Sequence, residues 1–591
     1  MNQGIISETL RNVLFYLSDA DRRKAVWMFL LLIFSSVLDV FGLASLVPVI
    51  MAASQPGSIF RNQYSNWLYH ALGFQSETAF LVALIILLVI FFLIKNLFTT
   101  LVNYQQVRFT AQIALNVVGT QIDKYNNLSF WDFSRLGSSN LVHFTVGIPQ
   151  AFVNGIIRQL FVLLSEAVVI LVIIVAILVY QPVLFMVLAL VLAPATVFTY
   201  RLLRNRSMRI GTRVDALRPV TYLLLSEAFA GYIELKLAGK QFQVKEKVIE
   251  NQNELQDLEA VSYLYGQLPL KMIEMVAILA VATIFLYSLL LSKNPENLVT
   301  IIGLFAAAAY RLMPSVNRLI IAMVSLKQHR FTFDNLGSHR DLVHQVLPPQ
   351  QPLVFKNSIE LRNVSFTFPE TTKPVLNNIS FKVNKGERIG LIGSSGSGKT
   401  TLMNLLLRFY EEQQGKLLID NQPLTEHNLE AWYKLVGYVK QDTFLMESSI
   451  RDNITLADQK VDEQRLQYAI EQASLTDFIQ SLPDGIETFV GERGSRLSGG
   501  QRQRIGIARA LYKRTEVLLM DEATSALDNE TEREVNEAIS RLATTDITIF
   551  IIAHRITTLR DCTRIYELKD GELIAERTYE ELVSRTMASS K

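Results

Sequence analysis

One glycine- and serine-rich run in the second half of the chain has the residue types needed to surround an anion. It reads Gly393, Ser394, Ser395, Gly396, Ser397, Gly398, Lys399 and Thr400, followed by Thr401. Glycines let a loop curl tightly enough for several backbone N–H groups to converge on phosphate oxygens. The run matches the pattern G-x-x-x-x-G-K-[ST]. It predicts a nucleotide site in which Lys399 contacts the β- and γ-phosphates and the Thr400 hydroxyl binds Mg²⁺.

Two carboxylates stand at the end of a hydrophobic run further along the chain. Val517 to Met520 predict a buried strand, and Asp521 and Glu522 follow it directly. At a strand end the Asp521 carboxylate can reach the metal shell, and Glu522 is the candidate general base for the attacking water. Such a pair is more often a solvated turn, but the phosphate loop upstream favours the chemical role. These residues predict Mg²⁺-dependent hydrolysis of ATP.

Three further segments complete a set that is known from one family. They are Leu497-Ser498-Gly499-Gly500-Gln501, Ser525-Ala526-Leu527-Asp528 and Ile552-Ala553-His554. With the phosphate loop and the Asp-Glu pair, they resemble the ATPase of ABC transporters over the C-terminal part of the chain. The resemblance implies an α/β P-loop NTPase domain. Within it, the ATP-binding residues of these segments would be Ser498, Gly499, Gly500, Gln501 and Asp528.

The same resemblance gives roles to three single residues. Gln441 matches the glutamine that family members use near Mg²⁺, and His554 matches the switch histidine that contacts the γ-phosphate. Phe368 occupies the position where the family usually stacks a tyrosine on adenine. Phenylalanine keeps the π-face, so stacking should survive, although a plain strand aromatic is the alternative. The segment Val490-Gly491-Glu492-Arg493-Gly494 resembles one that precedes the signature of exporters, which favours an exporter over an importer.

Long apolar runs occupy the first half of the chain. A helix needs roughly 20 apolar residues to cross about 30 Å of hydrocarbon. Runs of that length are predicted at 25–53, 79–103, 152–180, 182–203, 268–291 and 298–326. The alternative is that these runs form buried helices of a soluble protein. Six runs of this length and a positive mean hydropathy argue against it. The expected fold class is a six-span α-helical transmembrane domain of the type I ABC exporter kind, joined to the ATPase domain.

Basic residues predict how these runs are oriented. Arg22, Arg23 and Lys24 precede the first run, and several arginines follow the fourth between Arg201 and Arg218. Positively charged segments stay in the cytoplasm, so both termini and the ATPase are expected there. The first 24 residues lack the apolar core of a signal peptide. The pattern predicts a multi-pass protein of the inner or plasma membrane.

The chain is expected to have two domains. A proline-containing linker at 331–357 separates a transmembrane domain at 1–330 from an ATP-binding domain at 358–591. Polar-amphipathic segments at 104–150 and 204–265 predict helices that continue beyond the bilayer. One cysteine excludes an intrachain disulfide, and a net charge of +2 gives no support to a nucleic-acid partner.

One ATPase domain and six spans make half a transporter. In the family that the motifs resemble, the signature segment completes the ATP site of the opposing subunit. The partner is therefore expected to be a second chain. Because Glu522 and His554 are both present, two equivalent competent sites in a homodimer are the simpler prediction. A heterodimer is the alternative.

Two arginines interrupt the sixth apolar run. Arg311 and Arg318 are seven residues apart and share one helical face. Charges at that depth are costly unless they face water or an anion, so we predict that they contact substrate, with Lys271 and Arg108 as further members of the site. Snorkelling toward the interface and pairing with a carboxylate of another span are the alternatives. The candidate carboxylates are Asp39, Glu166 and Glu274.

The stretch between the first two runs gives a second indication of the substrate. Phe60, Tyr64, Trp67 and Leu68 lie at helical spacing, which predicts an amphipathic helix at the outer membrane boundary or one packed on the spans. With the segment around Arg311 and Arg318, it resembles bacterial flippases of lipid-linked oligosaccharides. The resemblance implies ATP-driven export of an anionic lipid-linked glycan. A lipid A-like lipid, a hydrophobic drug and a peptide are the alternatives.

Overall fold

The computed structural model of the chain divides into two compact units. The residues that it describes are 5–54, 67, 69–180, 182–291, 296–338, 348–369, 371–521, 529–542, 545–553 and 555–589. Met1–Leu128 and Asp132–Val343 form one unit, here called the membrane unit. Ser129–Trp131 and His344–Lys591 form the other, here called the ATPase unit. The stretch at 55–66, which holds most of the predicted amphipathic helix, lies outside the described residues.

The described residues before 339 form helices. The α-helices are α1 Ile5–Tyr16, α2 Asp19–Ser54, α3 Glu77–Asn126, α4 Phe130–Leu136, α5 Ser138–Val142, α6 Ile148–Phe152, α7 Arg158–Tyr180, α8 Pro182–Ala230, α9 Tyr232–Leu237, α10 Gln241–Leu291, α11 Glu296–Gln328 and α12 Phe331–Gly337. Two π-helical turns, His143–Gly147 and Val153–Ile157, join α5, α6 and α7. The last short helix, α12, lies in the segment that the sequence predicted as linker.

Six of these helices are long enough to cross a bilayer, and each predicted span falls on one of them, the third only from Arg158 onward. Among the described residues, three segments also have the length and the apolar composition of a membrane span: Asp19–Gly42, Glu77–Asn126 and Ser138–Val175. The apolar part of α3 is hardly covered by the chain itself, with 6% of its window buried, which suits a lipid-facing surface. The other three spans stay predictions.

The third predicted span starts in irregular helix. Pro149 has no N–H to donate, and it lies between the two π-helical turns that interrupt the helix before α7. A side chain at Gly155, in the second turn, would lie 2.1 Å from the His329 ring. At Gly211 of α8 it would lie 1.9 Å from the backbone oxygen of Gln328. The two glycines therefore let the C-terminal end of α11 pack closely against α8 and the π-helical turn.

The ATPase unit contains two sheets. Its strands are β1 Ser358–Phe366, β2 Leu376–Asn384, β3 Arg388–Ile392, β4 Gln414–Ile419, β5 Gln422–Pro423, β6 Val436–Val439, β7 Val517–Asp521, β8 Thr548–Ile552, β9 Arg564–Lys569 and β10 Glu572–Arg577. One sheet is antiparallel with the order β2-β1-β4-β5. The other has the order β10-β9-β3-β8-β7-β6, in which only β10 runs antiparallel to its neighbour.

The described part of the ATPase unit also contains α-helices beyond the phosphate loop. They are α13 Lys399–Leu406, α14 Leu429–Leu435, α15 Ile450–Thr455, α16 Glu463–Gln472, α17 Thr476–Ser481, α18 Gly499–Tyr512, α19 Asn529–Leu542 and α20 Tyr579–Ser589. Short 3₁₀ turns lie at Glu426–Asn428, Gly485–Glu487, Glu492–Gly494 and Ile556–Leu559. All five residues of β8 are buried, as expected of a parallel strand covered on both faces. The predicted α/β domain is present.

Candidate functional site

The candidate ATP site lies at one edge of the mainly parallel sheet. Carboxyl ends of parallel strands meet at the same edge, which is where α/β sheets bind ligands. β3 ends at Ile392 directly before the phosphate loop, and β7 ends in Asp521. β6 ends at Val439, opposite Met520 of β7, and Gln441 follows two residues later. The fold thus places the loop, Asp521 and Gln441 at one edge.

The phosphate loop needs glycine at three positions. Gly393, Gly396 and Gly398 have φ angles of +148°, +81° and +101°, a region that residues with a side chain rarely adopt. A side chain at Gly393 would lie 2.2 Å from the carbonyl oxygen of Leu568. At Gly398 it would lie 2.8 Å from the Leu376 side chain. The predicted glycines are therefore required by both backbone conformation and space.

Lys399 is held inside the loop that it is predicted to serve. Its Nζ donates hydrogen bonds to the carbonyl oxygens of Gly393, at 2.8 Å, and Ser394, at 3.0 Å. Lys399 is buried, as is Ser397, whose Oγ has no hydrogen-bond partner among the described residues. Lys399 also begins α13, so the positive end of a helix dipole points into the loop. The cradle, the ammonium and the unpaired hydroxyl fit a nucleotide phosphate.

Thr400 and Asp521 fit the predicted metal site. Thr400, in the first turn of α13, is exposed, and Asp521 is half-buried at the end of β7. A hydroxyl and a carboxylate are the oxygen ligands by which P-loop enzymes hold Mg²⁺. Thr401 is the next residue of the same helix, and it is half-buried.

The sequence analysis did not identify Tyr438 as part of the site. Its hydroxyl donates a hydrogen bond to the Asp521 carboxylate, and burial together with that negative charge raises the pKa of Tyr438 well above its usual range. In the register of β6 and β7, Tyr438 lies opposite Leu519, two residues before Asp521. Its nearness to Gln441 in sequence was the one signal available. We infer that Tyr438 orients the Asp521 carboxylate.

Tyr438→Phe should raise the Mg²⁺ concentration needed for half-maximal ATPase activity by about 10-fold, because hydrogen bonds to a metal ligand contribute about 10–100-fold to metal affinity. The ring stays, so packing is preserved. The measurement is an Mg²⁺ titration at saturating ATP, with Tyr433→Phe as the matched control. An unchanged titration would show that the hydroxyl does not orient Asp521.

Gln441 is exposed, and its backbone is tied to the helix that follows the signature segment. The Gln503 side chain on α18 donates to the carbonyl oxygens of Gln441, at 2.5 Å, and Lys440, at 3.1 Å. Gln503 is itself buried. This contact, across about 60 residues of sequence, joins the loop after β6 to α18. Nothing in the sequence pattern pointed to Gln503.

The signature residues form a capped helix start. Ser498 is the N-cap of α18, and its Oγ accepts from the Gln501 backbone N–H at 3.2 Å. The Gln501 side chain accepts in return from the Ser498 N–H at 2.8 Å, a capping box. Ser498 is exposed, Gly499 half-buried and Gly500 buried. The segment therefore presents the positive end of a 14-residue helix at the surface of the unit.

Phe368 lies in an aromatic cluster. Its ring stacks on Trp131 with centroids 5.6 Å apart and an interplanar angle of 24°. It also meets Phe366 and Tyr410 edge-on at 5.1 and 5.5 Å. Stacking of Phe368 on adenine stays a prediction. Glu522, Asp528 and His554 lie outside the described residues.

The predicted substrate residues do not form one contact group among the described side chains. Arg318 pairs with Glu166 of α7, which is one of the carboxylates named as an alternative partner. Lys271 pairs with Glu274 at 3.0 Å on its own helix. Arg108 is exposed on α3, and the side chain of Arg311 lies outside the described part of the structure. The third candidate carboxylate, Asp39, pairs with Lys95 at 2.6 Å.

Comparisons with known proteins support the family and the fold. The sequence model of the family described as "ABC transporter" matches residues 376–525. The chain is 31% identical over 479 residues to an ATP-dependent lipid A-core flippase of Bordetella avium, with 80% of each chain covered. It is 37% identical over 318 residues to one of Saccharophagus degradans, with 53% of each covered. Two further flippases of this name are matched over 66% and 64% of their lengths.

A solved structure is similar over nearly the whole chain. It is described as a bacterial Atm1-family ABC exporter with ATP bound, and the TM-score is 0.78 at 22% identity. The match covers 96% of this chain and 97% of the other. At this identity the likeness concerns the fold alone, and it confirms the predicted class of a helical membrane domain joined to an α/β nucleotide-binding domain.

Proposed function

Because the chain belongs to the ABC transporter family and has the half-transporter arrangement of its exporters, we propose that it uses ATP to move a lipid-linked amphiphile outward across the membrane. The observation that carries this proposal is the phosphate cradle at Gly393–Thr400, which lies at the same sheet edge as Asp521, in a chain that also has long apolar helices. The ATPase unit supplies the energy and the membrane unit the path.

The residues of the ATP site have distinct tasks. Backbone N–H groups of the loop and the Lys399 ammonium bind the phosphates. When the nucleotide binds, Lys399 gives up its hydrogen bonds to the two loop carbonyl oxygens and donates to phosphate oxygens instead. Thr400 and Asp521 would hold Mg²⁺, with Gln441 nearby, and the metal would supply positive charge beside the phosphates. Glu522 would remove a proton from the attacking water. His554 would contact the γ-phosphate, and Phe368 would stack on adenine.

Two copies of the chain would share two ATP sites. The exposed, capped N-terminus of α18 at Ser498 suits an anion brought by a second chain. In this arrangement the phosphate loop of one chain and the Ser498–Gln501 segment of its partner enclose one nucleotide. Binding of ATP closes the dimer, and hydrolysis opens it.

A mixed dimer tests the shared sites. With Lys399→Ala in one chain and Ser498→Arg in the other, both lesions fall on one composite site, so about half of the ATPase activity should remain if the two sites work independently. With both changes in one chain, each site carries one lesion and activity should be lost. ATPase assays on dimers purified through two different tags compare the arrangements. Equal activities would argue against shared sites.

The substrate is proposed to carry phosphate on its head group. Arginine suits phosphate because its planar fork matches two oxygens at once, and about half of the Arg318 side chain is exposed. A lipid-linked oligosaccharide with a pyrophosphate linkage is our first candidate. Lipid A-like lipids are the second, because several relatives are described as lipid A-core flippases. We place the protein in the inner membrane, with the ATPase domain in the cytoplasm.

Transport in proteoliposomes tests this function. Protein is reconstituted with fluorescent pyrophosphate-linked oligosaccharide lipid or with fluorescent lipid A, and ATP-dependent movement between leaflets is measured by quenching. Movement of the first lipid is expected, and preference for the second would select the lipid A alternative. Lys399→Ala protein is the control. Movement of neither lipid, in vesicles whose ATPase is active, would overturn the proposal and favour drug or peptide export.

A further inference from the structure

The ion pair between Glu166 and Arg318 links two helices of the membrane unit. The Nε of Arg318, on α11, donates to Oε1 of Glu166, on α7, at 2.5 Å. The two side chains differ in exposure: 11% for Glu166 and 48% for Arg318. The second carboxylate oxygen of Glu166 is buried and has no hydrogen-bond partner among the described residues. The pair thus joins a covered anion to a cation that is open on one side.

The geometry leaves part of the guanidinium available. Arginine has five N–H donors in a fixed plane, and the contact with Glu166 uses the one at Nε. The terminal Nη1 and Nη2 make no hydrogen bond to the described residues, so they can donate to a ligand. A guanidinium held at Nε cannot rotate freely, which keeps the direction of the remaining fork constant.

Glu166 lies on a buried face of α7. Leu163 and Val169, three residues to either side on α7, are 5% and 4% exposed, so the carboxylate lies on a covered, largely apolar face of the helix. A carboxylate in such surroundings needs a cation beside it. Arg318 therefore stabilises Glu166, and Glu166 in turn fixes the position of Arg318.

Two other ion pairs in the membrane unit differ from the pair of Glu166 and Arg318 in the exposure of their side chains. In the pair of Lys95 with Asp39, the cation is covered, with 12% of the Lys95 side chain exposed. In the pair of Lys271 with Glu274, both members are exposed and lie three residues apart on α10, a kind of pair that contributes little. At Glu166, a buried carboxylate meets a half-exposed arginine.

We propose that Glu166 is a positioning residue for substrate recognition. It holds the Arg318 guanidinium at Nε, so that Nη1 and Nη2 donate together to the phosphate of a lipid head group. This inference rests on the proposed function, because it takes a phosphorylated lipid as the ligand. It adds a residue that does not touch the substrate, yet determines how tightly the phosphate is bound.

The test compares variants of Glu166 in lipid nanodiscs. The readout is the concentration of phosphorylated lipid that gives half-maximal stimulation of ATPase activity, with a lipid that lacks phosphate in parallel. The phosphorylated lipid is the pyrophosphate-linked oligosaccharide lipid, or diphosphorylated lipid A if the proteoliposome assay selects that lipid. Glu166→Leu should raise that concentration about 10-fold for the phosphorylated lipid, the order expected from loss of one charge-assisted hydrogen bond. The lipid that lacks phosphate should show no shift. Glu166→Gln keeps an acceptor oxygen for Nε, so its shift should be below about 3-fold, by the same reasoning.

The matched control is Asp39→Leu, which breaks the pair whose cation is covered. It should not change the preference for phosphorylated lipid. Removal of Glu166 leaves a half-exposed arginine that water can solvate, so the variants are expected to fold; if Glu166→Leu does not, Glu166→Ala is read in its place.

The outcomes separate this inference from the function on which it rests. A wild-type protein that responds equally to both lipids would remove the phosphate-binding function itself. A wild-type preference that survives unchanged in Glu166→Leu would overturn the role of Glu166 alone. Equal weakening for both lipids would assign Glu166 a structural role, because positioning acts on the phosphate contact.

Discussion

Replacing Glu522 with glutamine should leave ATP binding intact and lower hydrolysis by about 10²–10⁴-fold, the usual contribution of a general base. β7 ends at Asp521, at the edge of the sheet that carries the phosphate loop, and Glu522 is the next residue in the sequence. Glutamine has the shape of glutamate but cannot accept the proton. The variant should accumulate as a closed, ATP-bound dimer.

Two measurements check this prediction. Binding of a fluorescent ATP analogue and ATPase turnover are compared in purified, reconstituted protein, with Lys399→Ala as the control that should lose binding as well. A closed dimer would retain its bound ATP after free nucleotide is removed. Near-normal turnover in the glutamine variant would remove Glu522 from the mechanism.

The second large effect concerns the two arginines of α11. Changing Arg311 and Arg318 together to alanine should abolish transport of a phosphorylated lipid, because the charge-assisted contacts to phosphate are lost. The structure changes the design of this experiment. Arg318 is the ion-pair partner of the buried Glu166, and removal of the cation alone would leave that covered carboxylate without a counter-charge, which destabilises the fold. The alanine changes therefore belong in a Glu166→Gln background.

The comparison is then between Glu166→Gln alone and Glu166→Gln with both arginines replaced. Transport should be lost in the second while thermal unfolding and nucleotide binding show a folded protein. Lysine at both positions should restore transport only in part, since it keeps the charge and loses the planar fork. Full restoration by lysine would indicate an interfacial anchor. Wild-type transport by the folded alanine variant would contradict an anionic substrate.

Several elements could be predicted because their signals are local. The apolar runs predicted helices, and α3, α8 and α10 extend well past the predicted spans, as their polar continuations indicated. The start of the third span and the helix α12 were missed. A proline between two π-helical turns changes the hydrogen-bond pattern without changing hydropathy, and a seven-residue helix is too short for a clear periodicity.

The sequence by itself determined the chemistry available at the phosphate loop. The loop needs backbone conformations that few residues other than glycine tolerate, and it has them at Gly393, Gly396 and Gly398. Lys399 follows Gly398 directly, so the whole phosphate site is encoded within a few consecutive residues. The tertiary structure decided which side chains contact Asp521 and Arg318. Tyr438 reaches Asp521 because β6 pairs with β7, and Glu166 meets Arg318 because α7 lies beside α11. Those contacts join residues far apart in the chain, and only strand order and helix packing, which no local pattern contains, bring them together.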